Sequence, residues 1–244
     1  MKAGIAQWIG CREKQEDSYR VKYFPDGLLV VVADGMGGHH CGELASAEAV
    51  CAFEESFAEG ASAELPVAER LKTALYAANE AVGRAFADCC NRGGSTLVAV
   101  FIGRGVIRWV SVGDSPLLLW RGGRLLRLNA DHSLRAVLME YVSAGTMSHS
   151  DAMRSGHQLR SALTGGEMAL VDAPAMPQPL LPGDRIIVAS DGVDELLLPA
   201  VLTDEVRALL SDRDGNLSVR VVEACQALND PGADNVTVVS VDWP

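Results

Sequence analysis

The sequence predicts an α+β fold in which two antiparallel β-sheets pack face to face and helices cover their outer sides, a four-layer α-β-β-α sandwich. Three observations lead there. Apolar runs of strand length lie near both ends and in the middle of the chain, and the helical segments come in blocks, unlike the steady β-α-β alternation of a parallel sheet. Neighbouring runs are joined by short Gly-rich connections, which imply hairpins and hence antiparallel sheets, each with one face in the core. The chain has 244 residues, 48% of them hydrophobic, enough to bury a substantial core. No linker, low-complexity tract or solenoid-length repeat divides it, so residues 1–244 are expected to form a single domain.

Residues 2–8, 17–23 and 27–33 read as strands, the last two joined by a turn at Pro25-Asp26-Gly27. Residues 42–59 and 65–90 are rich in Ala and Glu, with apolar residues three and four apart. They read as amphipathic helices, and Pro66 suits the first turn of the second. Strands follow at 95–102, 105–112, 116–120 and 124–128, with hairpin connections at Gly103-Arg104-Gly105 and Arg121-Gly122-Gly123. Helices are expected at 133–145 and 149–155. Residues 156–183, which carry Gly165-Gly166 and four prolines, read as irregular. A strand at 185–190, helices near 203–211 and 216–229 and a final strand at 235–242 complete the chain.

The net charge of −11 argues against a nucleic-acid surface or an anionic membrane surface as partner. The first residues lack a signal-peptide apolar stretch, and no apolar run is long enough to span a bilayer, so a cytoplasmic location is expected. The six cysteines form no CxxC pair and read as free thiols filling space. His39-His40-Cys41 lacks the spaced partner pair of a zinc site.

Three apolar runs end in an aspartate beside a small residue: Leu28 to Asp34-Gly35, Ile107 to Asp114-Ser115, and Ile186 to Asp191-Gly192. A fourth acid, Asp234, stands just before the run Val236-Thr237-Val238-Val239. Strand ends are rigid, and a small neighbour lets a ligand approach closely. Four carboxylates placed so, far apart in sequence, point to one acidic cluster of hard oxygen ligands, as Mg²⁺ or Mn²⁺ requires. Asp34-Gly35-Met36-Gly37-Gly38-His39 packs three glycines behind a buried strand without P-loop or dinucleotide-fingerprint spacing. Arg12-Glu13-Lys14-Gln15-Glu16-Asp17-Ser18 mixes charges at a strand entrance, where a carboxylate could bind metal and Arg12 an anion; by itself it reads as a solvated loop.

Taken in order, Arg12-x-x-x-Glu16-Asp17, Asp34-Gly35-Met36-Gly37-Gly38-His39, Gly94-Ser95-Thr96, Val112-Gly113-Asp114-Ser115, Asp131-His132-Ser133, Pro182-Gly183-Asp184, Ser190-Asp191-Gly192 and Asp234-Asn235-Val236-Thr237 resemble the bacterial metal-dependent serine/threonine protein phosphatases of type 2C, the PPM family, over roughly residues 4 to 242. The resemblance implies the same twin-sheet fold, with two core Mn²⁺ or Mg²⁺ ions and a weaker third. By it, Asp34 bridges the two core metals, Asp191 and Asp234 complete one site, and Glu16 with the Gly35 carbonyl helps form the other. Asp114 with Asp191 matches the third site, Arg12 the phosphate-binding arginine and Asp17 the acid that contacts metal-activated water. Hydrolysis of phosphoserine and phosphothreonine by that water follows, with a phosphoprotein, a Ser/Thr kinase or its target, as partner, and a monomer as the default state.

The chain departs from the family pattern in places. Gln15 and Ser95 are mild replacements, Pro116 removes a cation after Ser115, and Met36 stands where eukaryotic members carry a histidine, leaving the proton donor unassigned. Residues 133–170 match the variable flap, with His132, His149 and His157 in or beside it; as imidazoles they read first as surface or packed groups. The competing readings are a pseudophosphatase that binds phosphoprotein without turnover, and a hydrolase of small phosphate esters. Retention of Glu16, Asp34, Asp191 and Asp234 argues against the first.

Overall fold

A computed structural model describes residues 1–37, 41–87, 93–148, 151–152, 156, 158–197 and 202–244. One sheet runs in the order β1 (Lys2–Trp8), β11 (Val236–Asp242), β10 (Arg185–Ala189), β7 (Leu117–Arg121), β8 (Arg124–Arg127). The other runs β2 (Asp17–Phe24), β3 (Gly27–Met36), β5 (Leu97–Gly103), β6 (Val106–Val112), β9 (Gln178–Pro179), and the short β4 (Gly94–Ser95) pairs with the end of β3. Every pairing is antiparallel.

Side chains alternate between two buried faces. Leu28, Val30 and Val32 of β3 enter the core between the sheets with Val98, Val100, Leu119, Val188 and Val239. Their neighbours Leu29, Val31 and Ala33 face the other way, onto α1 (Cys41–Ser62) and α2 (Val67–Ala85). On the far side Leu118, Ile187, Ala189 and Val238 meet α4 (Asp194–Leu197), α5 (Asp204–Ser211) and α6 (Leu217–Ala227). The central strands are therefore covered on both faces, which corrects the expectation of one core face per sheet and explains why they read as unbroken apolar runs. Three cores between four layers give the predicted α-β-β-α architecture.

The hairpin connections hold. Arg104 and Gly105 (φ 52° and 75°) join β5 to β6, and Gly122 and Gly123 (φ 56° and 77°) join β7 to β8. Both central residues lie in the left-handed region, as the two-residue turn that matches sheet twist demands. Elsewhere the boundaries shift. The strand expected at 95–102 is broken at Thr96, whose hydroxyl and amide are taken by the site described below. Pro66 sits one residue before α2, and its carbonyl accepts from Glu69 N and Arg70 N. The second helix ends at Ala85, and the flap contributes α3 (Leu134–Ser143). Cys41 and Cys225 are buried as expected, but Cys11 is exposed on the loop after β1; Cys89 and Cys90 lie outside the described residues.

Candidate active site

Antiparallel order decides where the acids go. The C-terminal ends of β3, β6 and β10 and the N-terminal ends of β2 and β11 all emerge at one end of the sandwich. Asp17 opens β2 directly opposite Asp34 near the end of β3. Asp114 and Asp191 follow β6 and β10, and Asp234 precedes β11. Arg12, Glu16, Asp34, Gly35, Asp114, Asp191 and Asp234 all line one cleft of about 1160 Å³.

Backbone and hydroxyl bonds fix the floor. Asp34 N donates to Thr96 Oγ1 at 3.0 Å, while Asp34 O accepts from Thr96 N (2.8 Å) and Ser95 Oγ (3.0 Å). Gly35 N donates to Glu16 O at 3.1 Å. Asn235 ties the loops together: its Oδ1 accepts from Glu16 N (2.7 Å), and its amide donates to Ile9 O (2.8 Å) and Lys14 O (2.9 Å). Gly42, in the first turn of α1, leaves room where two acceptors meet. A Cβ there would lie 2.5 Å from Glu16 Oε1 and 2.8 Å from the Gly35 carbonyl oxygen. Two oxygen ligands converging on a cradle kept open by a glycine suit a hard cation.

The acids show the same strain. Burial, then the charges of Asp191, Asp17, Asp114 and Asp234, raises Asp34 well above the usual carboxylate range. Asp191 is raised by burial, then by Asp194 and Asp234, and is hydrogen-bonded to Asp34. Two carboxyl groups that close disfavour each other's ionised form, and a cation between them would relieve this. Burial also lifts Asp114 to about 7, with Asp191 the next cause. Asp17 does not line the cleft. It lies behind it, facing a smaller cavity of about 440 Å³ beside β1 and β2. Its Oδ2 accepts from Ser190 Oγ and Thr237 Oγ1, each at 2.7 Å, while Oδ1 is buried without a partner. Burial raises it to about 7.

Arg12 does not project freely. Its Nη2 lies 2.6 Å from Asp234 Oδ2, in a pair with side chains 54% and 43% exposed. Among the described residues, no three His, Cys, Asp or Glu side chains close fully around one point. Asp234 is paired with Arg12, and Asp34 and Asp191 are both raised by burial and by neighbouring acids. A bound cation would offset the mutual repulsion of these carboxylates, and with the Glu16 and Gly35 oxygens beside Gly42 the residues present fit a divalent metal.

Two residues missed in the sequence stand at the same wall. Arg135, on α3, is buried, and its Nη2 lies 2.5 Å from Asp194 Oδ2 and 3.4 Å from Asp131 Oδ2. Charge spacing carries no sign of this link, because Asp194 arrives from another layer. His132 is a packed imidazole: its Nδ1 accepts from Gly113 N at 3.2 Å, and burial lowers its pKa. His39, His40, His149 and His157 lie outside the described residues.

Residues 12–215 match the protein phosphatase 2C family. The chain is 29% identical over 221 residues to the serine/threonine phosphatase stp of Listeria welshimeri, covering 88% of this chain and 84% of that one. It superposes with a TM-score of 0.75 on the PPM Ser-Thr phosphatase MsPP of Mycobacterium smegmatis in complex with cacodylate, at 30% identity over 100% of this chain and 99% of that one. It superposes equally, TM-score 0.75 at 27% identity, on the catalytic domain of the serine threonine protein phosphatase PstP in complex with two manganese ions, covering 99% and 97% of the two chains. Fold and cleft together define a phosphoprotein phosphatase of the metal-dependent class. The chain belongs to the protein phosphatase 2C family, the PPM serine/threonine phosphatases.

Proposed function

We propose that this cleft hydrolyses phosphoserine and phosphothreonine in proteins with two Mn²⁺ or Mg²⁺ ions held by Glu16, Asp34, the Gly35 carbonyl, Asp191 and Asp234. The observation that carries the reading is the convergence of Glu16 Oε1 and Gly35 O on the space beside Gly42, in the cleft that Asp34 and Asp191 also line. When bound, the ions supply a water of lowered pKa and neutralise charge on the phosphoryl oxygens. The residues do the rest. Asp17 is the residue that would contact a metal-held water: Ser190 and Thr237 orient it behind the cleft, where its buried Oδ1 has no partner. Arg12 supplies a guanidinium fork for phosphate. Its pair with Asp234 is half exposed, worth no more than about 1 kcal/mol, and yields readily when Asp234 turns to a cation. Cacodylate in the MsPP structure is a tetrahedral oxoanion of the kind such a site accepts. The family resemblance puts a third, weaker ion beside Asp114 and Asp191.

Residues 1–244 form one catalytic domain in this reading, with Arg135, Gln158 and Leu159 from the flap region (133–170) lining the cleft. A Ser/Thr kinase or its target is the partner, a monomer the working state and the cytoplasm the site of action. No helix among the described residues is long and apolar enough to cross a membrane. The test is hydrolysis of a phosphothreonine peptide beside a panel of phosphometabolites, with Mn²⁺ and with EDTA. Turnover of the peptide, lost in EDTA, is expected. Full activity in metal-free enzyme would sink the mechanism, and preference for a small ester would move the substrate class.

Arg12→Ala is expected to lower kcat/KM for the peptide by about ten- to a hundredfold, the worth of a charge-assisted bond to phosphate, chiefly through KM. Steady-state kinetics decide it. Both constants unchanged would return Arg12 to a solvated loop residue.

A further inference from the structure

A cation is already built into the acidic end. Arg135 is 7% exposed, and its guanidinium lies between Asp194 Oδ2 at 2.5 Å and Asp131 Oδ2 at 3.4 Å. Arg127 closes the same group, with Nη1 3.1 Å from Asp131 Oδ2 and Nη2 donating to the Asp114 carbonyl at 2.6 Å. Asp131 is completed by Ser133 N and Oγ. Arg135 and Asp194 line the same cleft as Asp114 and Asp191. A buried cation held by two carboxylates on the wall that carries Asp114 and Asp191 supplies the charge a metal ion would supply there, and a second cation close by meets strong repulsion.

We propose that the Arg135 guanidinium takes the place of a third metal ion beside Asp114 and Asp191, so that this phosphatase works with two ions and pins the flap helix α3 to the metal end by a side chain. Asp194 is the anchor: it follows Asp191 by three residues, at the start of α4, so the ion pair joins the flap to the segment that carries a core ligand. The inference rests on the two-ion reading above.

Mn²⁺ stoichiometry and affinity, by titration calorimetry and native mass spectrometry on the full chain, test it without reference to turnover. The wild type is expected to bind two ions, and Asp114→Asn to bind the same two with unchanged affinity. Arg135→Met keeps the length of the side chain and removes the charge. It is expected to take a third ion about ten- to a hundredfold more tightly than the wild type does. Arg135→Lys, and Asp114→Asn added to Arg135→Met, should restore two. Three ions of similar affinity in the wild type, loss of an ion in Asp114→Asn, or no gain in Arg135→Met would overturn the inference and leave the two-ion reading standing. A wild type that binds no Mn²⁺ would overturn both. Should Arg135→Met not fold, the wild-type and Asp114→Asn stoichiometries still decide.

Discussion

Asp191→Asn is expected to cut phosphopeptide turnover by more than about a hundredfold, beyond the loss typical of an outer-shell partner, while raising the melting temperature of the metal-free protein. The two effects share one cause. Asp191 opens a 3₁₀ turn (Asp191–Val193) after β10, with part of its surface toward the cleft. Burial and the charges of Asp194 and Asp234 push its pKa up, so at neutral pH its ionised form is held at a cost to the fold. Asparagine has the same shape and can still bond to Asp34, but carries no charge to hold a cation. Removing the charge relieves the apo fold and empties the site. Melting curves in EDTA and in Mn²⁺, read beside kinetics, separate this from simple damage. A variant less stable than wild type in EDTA, or one that keeps its activity, would refute the assignment.

Much of this site was legible because strand-end acids are local features. The runs ending at Asp34, Asp114 and Asp191 are apolar on alternate faces that are both buried, so each aspartate stands out as the first charge after a core strand. The antiparallel order then brings them to one end without further information. What the sequence hid is made by contacts between distant layers. Arg135 looks like any helical arginine until Asp194 and Asp131 meet it. Gly42 is one small residue in an Ala-rich helix, and its role appears only when Glu16 and Gly35 are seen to share its space. Arg12 reads as an anion binder, and the ion pair with Asp234 arises from a residue 222 positions away. The break at Thr96 was hidden because its hydroxyl serves both Asp34 N and Ser115 Oγ, at 3.0 and 2.6 Å, which no periodicity encodes.

In EDTA the fold is expected to lose stability as pH rises from about 4.5 to about 7, and Mn²⁺ at the upper end is expected to restore it. Asp17 and Asp114 have folded pKa values raised to about 7 from 3.8, chiefly by burial. Below 3.8 both states hold the proton and the groups cost nothing. Between the two values the unfolded chain gives up protons that the folded chain keeps, so stability falls with rising pH and the loss is complete above the folded pKa. Each such shift corresponds to something on the order of 4 kcal/mol before relaxation. The lowered groups Asp131 and Asp184 act in acid, outside this window. His132, lowered by burial from 6.5, opposes the trend only below that value. A fall of about 5 °C or more in the melting temperature should therefore show between about pH 4.5 and 7 and level off above it. Mn²⁺ favours the ionised carboxylates, so binding at pH 6.5 should release protons into the buffer, measurable as a dependence of calorimetric heat on buffer ionisation enthalpy. A melting temperature in EDTA that does not change with pH, together with proton-neutral Mn²⁺ binding, would mean that these carboxylates are not strained against one another and that the cluster is not a metal site.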